Sequence, residues 1–532
     1  MNACHRSCIL ALLACTAGCT DFAREEREFC NRNPERCEKP CEPTGLDDQP
    51  DDAFEDRNCD GVDGMADGGI FVDPVRGTDG AAGTAEAPVR TLGEALDRVR
   101  TGTAPRLVYL AQGAYNEPGL VVDTQVALHG AYGGRDNNWE RRAEYTSFLD
   151  GGPVGLVIRG IAAGSETVLD RLTVHSANAT VLGTPSVALQ VIDSQEVRLR
   201  YGTFVAGSGA QGATGSPGSQ GFDGGVGGPG TNAVQATAGS FGVGGSSLCN
   251  GENVSGGNGQ DGLGGGSLAG LTGESGMPAG FGGLGGPGGN AGVTTPGPPV
   301  IICTAGHGGN GEPGKPGDAG TPGPSGAGLG ELSGTQWVAN QQGGNGTAGS
   351  AGSGGGGGGS GGACKREGTI NGAAGAGSGG GGGGGCGGEA GKGGGGGGAS
   401  IAVLLVRSNV HFEGDTVLRT RGGGRGGTGG EGGPGGVGGP GGRGGFGDVI
   451  ANGSYTSYGG DGGTGGTGGT GGPGGPGGGG GGGPSVGIWC GTDVGFTGTV
   501  DPQIADGGVG GTPGTGSNAG QPGQRIPYQG CP

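Results

Sequence analysis

Aromatic residues make up only 4% of this chain and charged residues only 14%, with 3 Met, 3 Trp and 5 His in 532 residues. Hydrophobic residues reach 31%, below the apolar share of an ordinary globular protein, so only part of the length can bury enough surface to offset the entropy of ordering. No apolar run approaches the roughly eighteen residues of a membrane-crossing helix. Cationic residues are scarce, 29 Lys and Arg against 48 Asp and Glu, for a net charge of −19. An acidic chain repels nucleic acid, and the Arg-Gly-Gly triplets at Arg421, Arg425 and Arg443 do not outweigh that charge. The histidines lack metal-ligand spacing, and neither a nucleophile elbow nor a phosphate loop with its lysine stands out. What the chain has instead is glycine, 155 residues of it.

The first residues read as an export signal. His5 and Arg6 form a short polar start, and Ile9 to Ala14 a compact apolar stretch too short to span a membrane. Thr16-Ala17-Gly18-Cys19 resembles the lipobox of bacterial lipoproteins, in which the cysteine carries lipid; Leu12-Leu13-Ala14-Cys15 competes with it. Cleavage before Cys19 removes Cys4, Cys8 and Cys15 from the 14 cysteines and commits Cys19 to lipid, leaving an even ten for disulfides. The expected product is extracytoplasmic, an outer-membrane or cell-surface lipoprotein or a secreted protein, with a lipid anchor to the membrane at residues 1–19.

Residues 20–69 read as an acidic tether; 21–67 alone hold 16 acidic residues against 6 basic ones. Within it Asp56, Asn58, Asp60 and Asp67 fall at positions 1, 3, 5 and 12 of a loop with Gly61 at position 6, and Val62 offers a carbonyl. That is the spacing of a Ca2+ loop, although Asp63 stands where an aliphatic residue is usual. Normal composition begins at residue 70. A helix is expected over 90–100, with Leu92, Ala95, Leu96 and Val99 on one face and Thr91 as its cap. Short strands are expected at 107–110, 120–122, 126–129, 156–158, 167–169, 172–174, 187–192 and 197–199. Ser186-Val187-Ala188-Leu189 returns as Ser400-Ile401-Ala402-Val403 and as Ser485-Val486-Gly487-Ile488. A repeated unit of two or three short strands cannot bury its own face and must stack on copies of itself. The expected fold class is therefore all-β, a parallel β-helix solenoid over 70–206 that resumes at 400–421 and 485–506. Glycine-rich insertions at 207–399 and 422–484 and a tail at 507–532 interrupt or follow it.

Asn58-Cys59-Asp60-Gly61-Val62-Asp63-Gly64, Ile70-Phe71-Val72-Asp73-Pro74, Ala87-Pro88-Val89-Arg90-Thr91-Leu92 and His129-Gly130-Ala131-Tyr132-Gly133-Gly134 with Trp139 resemble the opening of exported, pectin-lyase-like right-handed β-helix proteins, many of them glycine-rich myxobacterial surface lipoproteins. The resemblance covers about residues 45–205. It implies the right-handed hand of the solenoid and leaves the activity unassigned.

Glycine recurs at every third position over 212–230, 308–326 and 423–447. A collagen triple helix would carry the chain ends apart, yet each insertion must return to the solenoid at Ser400 and Ser485. Two readings remain: extended three-residue-per-turn helices folded back on one another and packed through bare glycine faces, or mobile loops. The disulfides expected from proximity are Cys249–Cys303, Cys364–Cys386 and Cys490–Cys531, with Cys30, Cys37, Cys41 and Cys59 pairing among themselves. Asp150, Asp170, Arg171, His175, Asp193 and Arg198 are the ionisable residues of the folded part, and Asp170, Arg171 and His175 are expected on one face; they form no catalytic set, so an enzyme is not favoured. The expected function is a surface-anchored structural or adhesive protein, with a carbohydrate-binding or lyase-like or hydrolase-like surface protein as the alternative, and with extracellular glycans or cell-surface molecules as partners.

Overall fold

The computed structural model describes residues 29, 32, 41–45, 47–102, 106–297, 300–365, 372–516 and 518–532. Residues 1–28, with Cys19, together with Cys30 and Cys37, lie outside the described residues. Three parallel sheets of seven, six and six strands hold the core. The chain visits them in rotation: Thr167–Asp170 joins the first sheet, Leu172–His175 the second, Ser186–Ile192 the third, and Val197–Arg200 the first again. The internal similarity becomes register. Ser186 pairs with Ser400 and Ser400 with Ser485, while Val197 pairs with Val410 and Val410 with Phe496.

In the first two sheets strands such as Val197–Arg200 and Leu172–His175 alternate buried and more exposed residues, whereas Leu107–Ala111 and Ala127–Tyr132 of the first sheet are buried almost throughout. In the third sheet Ser400–Val406 and Ser485–Cys490 are buried throughout. A strand covered on both faces has no reason to alternate. Here the outer cover is a hairpin, Glu331–Ser333 with Gln336–Val338, whose Trp337 packs with Val187, Ile401, Leu404 and Trp489. Buried serines turn the corners. Ser400 Oγ donates to Gly207 O at 2.7 Å, and Ser194 N donates to Ser408 Oγ at 3.1 Å.

Helix α1, Leu92–Arg100, buries Leu92, Ala95, Leu96 and Val99 in the main core, and Thr91 Oγ1 accepts from Glu94 N as its cap. The opposite edge is blunted by Pro502 in Val500–Gln503 and Pro527 in Arg525–Gln529, edge strands in which a missing N–H discourages further pairing.

The insertions are ordered as a bundle of extended segments. Gly212, Gly215, Gly218 and Gly221 donate in turn to the carbonyls of Arg425, Thr428, Glu431 and Pro434, each 2.8 to 2.9 Å. Gly424, Gly427 and Gly430 donate to Gly398, Gly395 and Lys392 in the opposite direction. Every third residue thus bonds to a different neighbour, some parallel and some antiparallel. Side chains would prevent this packing. A Cβ at Gly435 would lie 2.0 Å from Gly471 O, and one at Gly436 2.0 Å from Phe222 O.

The disulfides depart from the proximity scheme. Cys490 bonds Cys531, but Cys249 bonds Cys386 and Cys303 bonds Cys364, so Cys249–Cys303 and Cys364–Cys386 do not form. The physical reason is the bundle itself, which lays segments distant in sequence side by side and makes spatial neighbours of them. Cys41 bonds Cys59.

Candidate functional site

The acidic stretch is docked on the first sheet over residues 47–67. Tyr109, His129, Asp170, Arg200 and Glu413 stand in register on consecutive strands of that sheet. Arg141, fully buried, bridges this ladder to the segment: it donates to Asp170 Oδ2 at 2.5 Å, to Asp63 Oδ2 at 3.0 Å and to Asp51 O at 3.2 Å. Arg171 lies between the rings of Phe54 and Tyr201, and Asp52 accepts from Arg200 and Tyr201.

Burial would raise Asp170, but the His129 hydrogen bond and the Arg141 charge outweigh it and hold the carboxyl at about 2. Burial lowers His129, so a neutral imidazole donates Nδ1–H to the carboxylate at 3.0 Å. Asp63 goes the other way, pushed up to about 6 by burial against the pull of Arg141. Arg141, Asp63, His129 and Asp170 are buried at the centre of the cluster, while Asp52 and Glu413 at its margin are partly exposed. Its chemistry is attachment.

The other ionisable candidates do not converge. Asp170 belongs to the first sheet and His175 to the second, so the expected shared face does not exist, because the corner at Arg171 lies between them. His175 lies 4.0 Å from Asp150, Asp193 pairs with Arg407, and Arg198 pairs with Glu166. Tyr109, Tyr115, Tyr132 and Trp139 are buried and offer no stacking platform to a sugar.

In the 56–67 loop, Asp56 accepts from Asp60 N and Gly61 N, and Asn58 Oδ1 accepts from Asp60 N. Asp60 accepts from Val62 N and Ala66 N. Asp67 is exposed on the 3-10 turn Ala66–Gly68, and Val62 buries its side chain against Phe71 and Tyr109. Among the described residues no three His, Cys, Asp or Glu side chains converge as ligands of one ion.

A more exposed surface lies at the far end of the bundle. Segments of about twenty residues leave the three parallel sheets near Gly398, Gly424 and Gly483 and end near Gly377, Gly445 and Gly462. At about 3.1 Å per residue they reach roughly 60 Å. There Val293–Thr295, Ile301–Thr304, Tyr455–Tyr458 and Val449–Asn452 form a four-stranded sheet in that order. One face carries Cys303, Tyr455 and Ser457 inward, fixed by the Cys303–Cys364 bond and by Tyr455 OH donating to Lys365 O at 2.7 Å. The other carries two aligned rows, Val293–Thr304–Tyr458–Val449 and Thr295–Ile302–Thr456–Ala451. Val293 is 70% exposed and Val449 57%. Neither row contains a charge, and among the described residues neither outer strand has a further pairing partner. Composition hid this sheet, although its β-branched islands stand between glycines and carry the strand signal.

No family model, curated protein or solved structure matches the chain.

Proposed function

We propose that this chain is a cell-surface display protein that presents the uncharged four-stranded sheet to a surface or partner outside the cell. In this reading the leader directs export and Cys19 carries a lipid anchor. The three sheets form a right-handed parallel β-helix, and the glycine bundle is a rigid arm. The observation that carries the reading is the distal face itself: two rows of β-branched, threonine and tyrosine residues without a charge, on a sheet whose outer strands have no further pairing partner among the described residues, fixed to a hydrogen-bonded lattice. Exposed apolar sheet surface of this kind marks interaction sites and is a hazard when it has no partner. Disulfides within the bundle fit an oxidising compartment.

The test is a whole-cell and glycan-array binding assay of the mature chain beside its Ile302→Asp/Val449→Asp variant. These side chains are exposed, so the variant should keep the parent's melting temperature. Adhesion should fall at least tenfold. Equal adhesion by parent and variant would reject the distal sheet as the contact surface, and array binding that survives the change would move a glycan site elsewhere on the protein.

A further inference from the structure

We infer that the cleft between the third sheet, the covering hairpin and the base of the glycine bundle is a binding site for an uncharged, mainly apolar molecule that donates one hydrogen bond, of the class of long-chain or polycyclic alcohols. The cleft measures about 670 Å³, within the roughly 300 to 1,000 Å³ typical of small-molecule sites. Its lining contains no charged residue. Val154, Val187 and Leu404 from the third sheet and Trp337 from the hairpin form apolar walls, and Trp337 is fixed by donating to Leu329 O at 3.2 Å and by an edge contact with Trp489. An ion entering this lining would lose its hydration without compensation. That excludes fatty acids and phosphates as good occupants.

Of the polar side chains in the lining, Thr180, Thr184, Gln190, Gln336 and Gln342, only Gln190 is buried. It stands on Ser186–Ile192 in register with Val157 and Leu404, and only 9% of its surface is exposed. Its Nε2 donates to Thr335 O in the hairpin turn at 2.5 Å, which orients the carboxamide. Among the described residues no donor reaches its Oε1, and the residue lines the cleft. An acceptor oriented in this way and open to the cleft is offered to a hydroxyl or N–H on the occupant. At the rim, Val181 and Leu182 are 67% and 53% exposed on the loop that ends at Pro185. Two adjacent exposed aliphatic residues at a cleft mouth extend its apolar wall over an entering molecule.

The inference does not rest on the display reading, since the cleft lies at the base of the arm and the contact sheet at its tip. Nile red, a neutral apolar dye, serves as the probe on the mature full chain, with 1-dodecanol, methyl dodecanoate and dodecanoate as competitors. Dodecanol should displace the dye at least tenfold better than either of the others, because the ester lacks the donor and the carboxylate brings a charge. Val181→Asp/Leu182→Asp, on an exposed loop, should weaken dye and alcohol alike by at least tenfold, and Ile302→Asp/Val449→Asp should change neither. Gln190→Leu should abolish the preference for alcohol over ester while the dye still binds. Dye binding that ignores the rim variant, or displacement by dodecanoate as readily as by dodecanol, would overturn the assignment.

Discussion

Replacing Gly357 by alanine separates two opposing physical effects. If glycine served only as flexible filler, alanine would reduce the freedom of the unfolded chain and stabilise the protein by about 0.4 to 1 kcal/mol. The packing says otherwise. A Cβ at Gly357 would sit 1.9 Å from Asn258 O, whereas ordinary contact begins at 3.4 Å, so the segment must retreat by about 1.5 Å. Gly357 donates to Glu274 O and accepts from Gly286 N, both at 2.8 Å, and Gly356 and Gly358 donate to Glu312 O and Gly379 O at 2.9 Å. A shift of that size breaks most of these four bonds, at about 1 kcal/mol each. After the unfolded-state gain, about 2 to 3 kcal/mol of local destabilisation remains. A disulfide-linked chain of this size does not license a single global unfolding energy, so local amide exchange is the right observable. Exchange of the amides in residues 352–364 should accelerate roughly a hundredfold, while Val437→Ala at an exposed position should leave it unchanged. Slower or unchanged exchange in the Gly357 variant would refute the steric account of the bundle.

Arg141→Met should leave Asp63 and Asp170 buried without their shared cation, a loss of about 3 to 5 kcal/mol. Limited proteolysis between residues 47 and 67 should then appear where the parent resists, and equal resistance would show that Arg141 does not hold this segment. Asp63 titrates near 6 in the folded protein against an ordinary value of 3.8, so folding takes up a proton and docking should tighten as pH falls from about 6 to 4. Asp63→Asn should remove that rise in a pH series of melting temperatures, and a rise that persists would assign it to another group. Asp170, held at about 2, contributes stability that is complete above pH 3.8 and lost as pH falls towards 2; Asp170→Asn should abolish that acid limb, and an unchanged limb would refute the assignment.

The parallel sheets were legible in the sequence because Ser186, Ser400 and Ser485 begin strands that pair in register, and similarity between stacked units becomes contact. Helix α1 was legible from its 3.6-residue period and its threonine cap. The docking of residues 47–67 was not, since Asp52, Asp63 and Arg141 look like solvated charge until Arg141 is seen between two buried carboxylates. The cysteine partners were not, because nearness along the chain says little where a bundle brings residues 137 apart into contact, as it does for Cys249 and Cys386.

The glycine tracts carry more information than their composition suggests, because glycine is needed only where a neighbour blocks the Cβ. In residues 212–223 one position in three is glycine, and the other two face outward, as Ser219 and Gln220 do beside Gly218. In 423–447 two in three are glycine: Gly435 and Gly436 each meet a different segment, while Val437 is exposed. In 354–359 all three are glycine, and Gly354, Gly355 and Gly356 meet Ser255, Gly466 and Leu284 respectively. The number of glycines per triplet therefore counts the occupied directions around a segment: one at a corner, two on a face, three in the interior. The same rule explains where the last layer stops. Residues 507–514 lie over Gly482 and Gly479, whose missing Cβ atoms would strike Gly508 O and Gly511 O at 1.8 and 2.0 Å. Further along that row stand Pro476, Pro473, Thr470 and Thr467, and the covering segment makes its last bond from Gly514 to Gly477 O. A fourth triplet over Pro476 would drive a carbonyl into the proline ring. Proline and threonine thus close this flank of the arm to further glycine segments, whether from this chain or from a second copy.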